Sequence, residues 1–254
     1  MRRYFVKAIA VLGGSGGLGG HVVRRLAESQ PVMIGYRSNS AAAHSLVEEL
    51  RSKGLNVAAA AVDVRELASV HNFLEAAEHF GGGLAGVVSM TGAPFPMCAL
   101  TDASEKEFRD VIETEVFGAF NILKASVPIM KKEGGGPVVI CLTTAVLRTM
   151  DYDSMNSVPK AAIAMMVRHV AREAGRDNVR VNAIAPGVID AGRTIIVSQL
   201  PPLVQQVVAD CVKNTPLPRL GKPAEVSGLV SFLLSADAGY INGQIIGMDG
   251  GYSA

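Results

Sequence analysis

Short, mostly apolar runs alternate with longer amphipathic stretches along almost the whole chain. Residues 8–12, 32–36, 57–62, 86–90, 138–142, 180–184 and 244–248 are such runs. Apolar runs of this length, bounded by turn residues, predict buried strands. Between them, apolar residues at helical spacing predict helices after Gly17, over 41–53, over 66–79, from 101 to 132 with a kink at Pro128, and over 155–174. Gly54, the run Gly81-Gly82-Gly83 and the run Gly134-Gly135-Gly136-Pro137 punctuate the pattern. Strands alternating with helices predict an α/β fold, a doubly wound parallel sheet with helices on both faces. No linker, repeat or low-complexity tract divides residues 1–254, so a single domain is expected. Residues 187–218 lack a strand pattern and carry Pro201, Pro202, Pro216 and Pro218, which suits a mobile lid over a substrate site.

The first strand runs straight into Gly13, Gly14, Gly16, Gly17, Gly19 and Gly20, and Leu18, Val22, Val23 and Leu26 follow at helical spacing. Strand, glycine turn and helix in that order predict a Rossmann-like dinucleotide site at the carboxyl ends of the strands. Glycines bring the backbone close to a ligand, and a helix N-terminus offers N–H groups to a pyrophosphate. Gly13, Ser15, Gly16, Gly17, Leu18 and Gly19 are the residues expected to do this. An NAD-type site needs an acid at the end of the second strand for the ribose 2′-hydroxyl. That end is Gly35-Tyr36-Arg37-Ser38-Asn39, with Tyr36 in the acid's place. Arg37 and Ser38 could hold a 2′-phosphate, which points to NADP(H). The alternative is an ordinary exposed loop arginine.

Composition narrows the partners. The 254 residues are 49% apolar with a formal net charge of +1. That balance carries no electrostatic footprint for nucleic acid or an anionic membrane, and no apolar stretch reaches the length of a membrane span. Met1-Arg2-Arg3 and the apolar residues after it are similar to the start of a signal peptide. Lys7 interrupts that run, and cleavage nearby would destroy the glycine turn, so a first strand is expected there. Cys98, Cys141 and Cys211 are scattered and odd in number, which fits a reducing, cytoplasmic setting. The five histidines lack a paired metal spacing.

The spacing Gly13-x-x-x-Gly17-x-Gly19 resembles the short-chain dehydrogenase/reductase family, and later segments extend the resemblance over essentially the whole chain. Arg180-Val-Asn-Ala-Ile-Ala-Pro-Gly-Val-Ile keeps the family's Asn182, Pro186, Gly187 and Ile189. The tail from Pro218 through Ile241-Asn-Gly-Gln to Asp249-Gly-Gly is most similar to 3-oxoacyl-carrier-protein reductases, where it supports a tetramer. The resemblance therefore implies a homo-oligomer, tetramer or dimer. It also implies that Asp63, with Val64 beside it, contacts adenine; a helix-starting role for Asp63 stands alongside. By the same resemblance Gly92, Pro186, Gly187 and Ile189 line the cofactor, and Lys160 holds the nicotinamide ribose. Departures are visible too. Leu12 replaces a usual Thr, Val88-Ser89-Met90-Thr91-Gly92 keeps only the glycine of the family's Asn-Asn-Ala-Gly, and Ala191 replaces a usual Thr.

The catalytic strip departs most. The family uses Asn, Ser, Tyr and Lys, the last two as Tyr-x-x-x-Lys on one helix face. Here Lys160 is present, but the residue four before it is Asn156. The serine position falls on Thr143 and the asparagine position, anchored by Gly118 and Phe120, on Glu115. Thr143 keeps a hydroxyl, whereas a carboxamide is no proton acid near neutral pH. Glu115 is either a partner of the Lys160 ammonium or a surface or oligomer-interface charge. Tyr152, eight residues before Lys160, is either a relocated acid or an ordinary loop tyrosine. The expected function is NADP(H)-dependent hydride transfer to or from a carbonyl or activated C=C bond of a small, apolar or acyl-thioester-like substrate. The alternatives are a catalytically impaired relative that binds NADP(H) as a structural or sensing ligand, and a non-redox enzyme on the same fold.

Overall fold

The computed structural model describes residues 7–191 and 201–254. Seven strands form one sheet: β1 (Ala8–Leu12), β2 (Val32–Tyr36), β3 (Val57–Ala61), β4 (Leu84–Ser89), β5 (Gly136–Cys141), β6 (Val179–Pro186) and β7 (Ile245–Met248). Their order is β3-β2-β1-β4-β5-β6-β7 and every pairing is parallel. The expected doubly wound sheet is thus present. β6 runs two residues beyond the expected end because β7 stays paired with it as far as Pro186 and Met248.

The helices are α1 (Gly17–Ala27), α2 (Ser40–Ser52), α3 (Leu67–Gly81), α4 (Glu105–Ile112), α5 (Gly118–Lys132), α6 (Ser154–Ala174), α7 (Pro202–Lys213) and α8 (Pro223–Leu234). Alternation along β1 shows how they share the sheet. Ala10 and Leu12 enter a core with Phe73 and Leu74 of α3, Ile122 of α5 and Ile163 and Val167 of α6. Ile9 and Val11 enter the opposite core with Val22 and Val23 of α1, Leu46 and Leu50 of α2 and Val230 and Leu233 of α8. Strand side chains alternate between faces, so one apolar strand feeds both layers.

One helical expectation needs correction. The stretch from 101 to 132 is not one helix kinked at Pro128, which lies inside an unbroken α5. The break lies earlier, in a π-helical turn over Glu113–Phe117 between α4 and α5. Such a turn admits an extra residue into the helix and is frequent at functional sites; here it carries the buried Glu115. Between 187 and 218, which lack a strand pattern and suit a lid, α7 occupies Pro202–Lys213. Residues 192–200 of that stretch, and residues 1–6, lie outside the described residues. Helix α8 also lacks a sequence expectation, although Pro223 opens it and Glu225 accepts from the Lys222 N–H at 2.7 Å.

Asn182 fastens the end of the sheet. It is 1% exposed, donates through Nδ2 to the Ile241 carbonyl at 2.8 Å and accepts through Oδ1 from the Gln244 N–H at 2.9 Å. Arg180, two residues earlier, donates to the carbonyls of Leu233 and Ser235 at the end of α8. Asn182→Ala strands one buried carbonyl and one N–H. At about 1–3 kcal/mol for each, the expected loss is about 2–6 kcal/mol. It should appear as a lower denaturant midpoint with an unchanged slope; a variant that melts with the unmodified protein would refute this.

Candidate active site

Strand order reverses at β1, which lies between β2 and β4. A crevice opens at such a switch point, outside the carboxyl ends of the strands. It is a cleft of about 230 Å³. Gly13, Ser15 and Gly16 after β1, Tyr36, Arg37 and Ser38 after β2, Val64 after β3 and Gly92 after β4 line it, all expected. Gly13 has φ +75°, and a Cβ there would lie 2.8 Å from the Met90 carbonyl carbon and oxygen, so only glycine fits. No side chain caps α1 at Gly16, and Gly16 and Gly17 are exposed while Leu18 is half-buried. The first-turn N–H groups of Gly17, Leu18 and Gly19 therefore remain for an external acceptor. Gly19 itself is buried, and a Cβ on it would strike the Gly13 carbonyl. Its role is to let the turn close.

The far end of the cleft is built by β2 and α2. Arg37 and Ser38 are exposed, and Arg37 makes no ion pair or hydrogen bond among the described residues. Asn39 caps α2, accepting from the Ala42 N–H at 3.1 Å. Tyr36 stacks edge-on against His44, with its hydroxyl 3.5 Å from Ser40 Oγ. Asp63 does not line the cleft. Its carboxylate is engaged by Arg65, whose Nε donates at 2.9 Å, and this guanidinium holds the carboxyl below its ordinary value.

The strip is partly assembled. Lys160 and Glu115 form a buried ion pair, Nζ to Oε2 2.9 Å, with side chains 8% and 4% exposed. Of the two readings of Glu115, the structure selects the lysine partner; it is no surface charge. Oε1 accepts from the Ala93 N–H at 2.6 Å, and Lys160 also donates to the Cys141 carbonyl at 3.2 Å. An ammonium has three donors, so one remains. Thr143, at the end of β5, accepts from the Ala145 N–H at 3.3 Å, which leaves its O–H as a donor. Asn156, half-buried, gives its Nδ2 to both oxygens of the buried Asp153, at 3.3 and 3.2 Å. Tyr152 has φ +62° and is 40% exposed; its carbonyl accepts from the Cys98 N–H. Its side chain lines a separate cavity of about 370 Å³ with Leu203, Val207 and Cys211 of α7 and with Tyr252. Among the described residues it bonds neither Thr143 nor Lys160.

Pro186 ends β6, and the Gly187 N–H donates to the Met248 carbonyl at 3.0 Å. Ile189 is buried and pairs in a bridge with Gly221. Some supports had no sequence signal. The Thr144 hydroxyl bonds Asp249, and Arg148 lies 4.7 Å over the Tyr252 ring and donates to its carbonyl at 2.7 Å. Burial pushes the Asp249 carboxyl up, but hydrogen bonds from Ser253, Thr144 and Gly251 outweigh it and hold the group below its ordinary value. The Asp249-Gly-Gly motif is visible in the sequence; its partner across the fold is not. Among the described residues, no cluster of His, Cys, Asp or Glu is arranged to hold a metal, and no helix is long and apolar enough to cross a membrane.

The family model described as Enoyl-(Acyl carrier protein) reductase matches residues 13–253. The chain belongs to the short-chain dehydrogenase/reductase family. It is 27% identical over 255 residues to a tropinone reductase homolog of Datura stramonium, covering 99% of this chain and 94% of that one. It is 30% identical over 253 residues to versicolorin reductase 1 of Aspergillus parasiticus, covering 96% and 95%. The structure of a short-chain type dehydrogenase/reductase from Mycobacterium ulcerans superposes with a TM-score of 0.90 at 28% identity, covering 97% of this chain and 90% of that one. Short-chain dehydrogenases/reductases use nicotinamide cofactors on small molecules, and this chain is an oxidoreductase of that type.

Proposed function

We propose that this short-chain dehydrogenase/reductase is NADP(H)-dependent and transfers hydride to or from an activated C=C bond or a carbonyl, with the C=C bond of an apolar or acyl-thioester substrate favoured. The cofactor reading rests on one observation: an exposed Arg37 beside the start of α2, without an ion pair or hydrogen bond among the described residues, and Tyr36 where an NAD-type acid would stand. The uncapped N-terminus of α1 suits a pyrophosphate. The third donor of Lys160 suits a ribose hydroxyl, and Arg37 with Ser38 suits a 2′-phosphate. When bound, the reduced nicotinamide supplies a hydride.

The preference for C=C bonds rests on Asn156. A ketone becomes an alkoxide and needs a proton acid beside it. Asn156 is none, and its amide nitrogen is turned to the Asp153 carboxylate. An enoyl group accepts hydride at its β-carbon, the electron pair moves to the carbonyl oxygen, and the α-carbon is protonated from water afterwards. The demand on the protein is then a donor for that oxygen, and the Thr143 O–H, with its acceptor side already used by Ala145, supplies one. Tyr152 is the candidate to assist it on a substrate that extends into the separate cavity it lines beside α7.

The face of α5 and α6 supports the homo-oligomer. Phe120 and Met165 are 45% and 48% exposed there and line a shallow cavity of about 510 Å³ with Val127, Pro128 and Met166. Exposed apolar patches of this kind mark association surfaces.

Three outcomes are expected. Arg37→Ala should weaken NADPH by about 10–100-fold, from the loss of a charge-assisted bond worth about 1.5–3 kcal/mol, and leave NADH little changed. Equal titration of the unmodified protein by NADPH and NADH would overturn this. In matched assays of NADPH consumption, an enoyl thioester should outpace a 3-oxoacyl thioester by about 10²-fold or more. Tyr152→Phe should lower the enoyl rate, and Asn156→Tyr should raise 3-oxoacyl reduction. Fast 3-oxoacyl reduction by the unmodified protein, unchanged in Tyr152→Phe, would refute the reading of the acid. Light scattering should find an oligomer that Met165→Asp reduces in size; an unmodified monomer would exclude the assembly.

A further inference from the structure

The cofactor reading leaves a charged group in the floor of the site without a role. Glu115 is 5% exposed and Lys160 6%. The carboxylate is held at both oxygens, by Lys160 at 2.9 Å and by the Ala93 N–H at 2.6 Å. It stands just behind the cleft wall. A Cβ built on Gly92, which lines the cleft, would lie 3.7 Å from Glu115 Oε1, and the adjoining Thr114 lines the cleft as well. Among the described residues neither partner forms an ion pair with any third side chain. The floor therefore carries no net charge, whereas Lys160 alone would leave it positive.

That difference matters to one feature of the cofactor. The oxidised nicotinamide ring is a cation and the reduced ring is neutral; the ribose, pyrophosphate and 2′-phosphate groups are common to both. A charge beneath the ring acts on the difference between the two forms. Buried charges act over longer distances than exposed ones because solvent and salt screen them less. We propose that Glu115 sets the balance between oxidised and reduced cofactor, cancelling the Lys160 charge so that NADP⁺ binds without cation–cation repulsion. This rests on the reading that the cleft holds NADP(H) with the nicotinamide end at Lys160.

Calorimetric titration with NADP⁺ and with NADPH separately, at neutral pH, tests it without any substrate. The quantity read is the ratio of the two dissociation constants, oxidised over reduced. Glu115→Gln leaves Lys160 uncompensated and should raise the ratio about threefold or more, a modest Coulombic effect between partly screened charges. Lys160→Gln leaves Glu115 uncompensated and should lower it. The double variant should return to within about twofold of the starting ratio, because the two effects belong to one pair. Arg37→Ala acts at the other end of the cofactor and should weaken both forms by the same factor. An unchanged ratio in a folded Glu115→Gln protein that still binds both forms would overturn the proposal and leave the cofactor reading intact. Should Glu115→Gln fail to fold, an unchanged or raised ratio in Lys160→Gln overturns it equally. Binding of neither form to the unmodified protein would overturn the cofactor reading and the proposal together.

Discussion

The direction of the crossovers is the constraint on which the site depends. Parallel strands cannot be joined by hairpins, and each crossover is right-handed, so the layer a helix enters is set by which way the next strand lies. From β1 the chain winds outward to β2 and β3, placing α1 and α2 on one face. It then returns past β1 to β4, placing α3 on the other. The connections leaving β1 and β4 part at that point, and the cleft opens between them. Gly13, Arg37, Val64 and Gly92, spread over eighty residues of sequence, meet at one cleft for this reason.

Within the site, the Glu115–Lys160 pair is a buried charge pair with a desolvation cost to offset. Two buried charges lose their hydration, and their attraction offsets that only if the remaining polar valences are filled. Here the Ala93 N–H fills one oxygen of the carboxylate and the Cys141 carbonyl one proton of the ammonium. Those partners come from the ends of β4 and β5, and the charges from the π turn and α6. The network therefore ties together four elements that pack on different parts of the sheet. The buried carboxylate sits within the π turn, the kind of helix irregularity that is frequent at functional sites.

The fold was legible because its signals are local. Five apolar residues before a glycine run, or a helical stripe ending at Gly54, need no knowledge of the rest of the chain. The cofactor cleft was legible for a similar reason: its residues sit one after another at strand ends, and topology alone gathers them. The failures have a common cause. The sequence points to a helix break at Pro128, a residue with a known local effect, whereas the break lies at Glu113–Phe117, where no proline or glycine marks it. The Asp63–Arg65 pair is likewise invisible in the sequence, because nothing in the spacing reveals that Arg65 folds back onto Asp63. Helix α8 is apolar nearly all round, so it lacks the stripe that marks an amphipathic helix, and its start signal at Pro223 was its only local trace.

The same distinction bears on the chemistry. Sequence position equates Asn156 with the family's tyrosine, and the loss of an acid follows from residue type alone. The surrounding hydrogen bonds add what type cannot. Had the Asn156 amide been free, it could donate to a substrate oxygen and substitute in part for the missing phenol. Both oxygens of Asp153 instead lie within reach of that one amide nitrogen, and a carboxylate is the stronger acceptor. Thr143 is in the opposite condition: its oxygen accepts from Ala145, so its hydrogen is directed elsewhere. Between them, the two side chains leave an arrangement with a hydrogen-bond donor and no proton acid. An oxygen that gains negative charge without needing a proton at once is the kind of group such a site can stabilise. A carbonyl oxygen conjugated to the accepting carbon meets that description, and an isolated ketone does not.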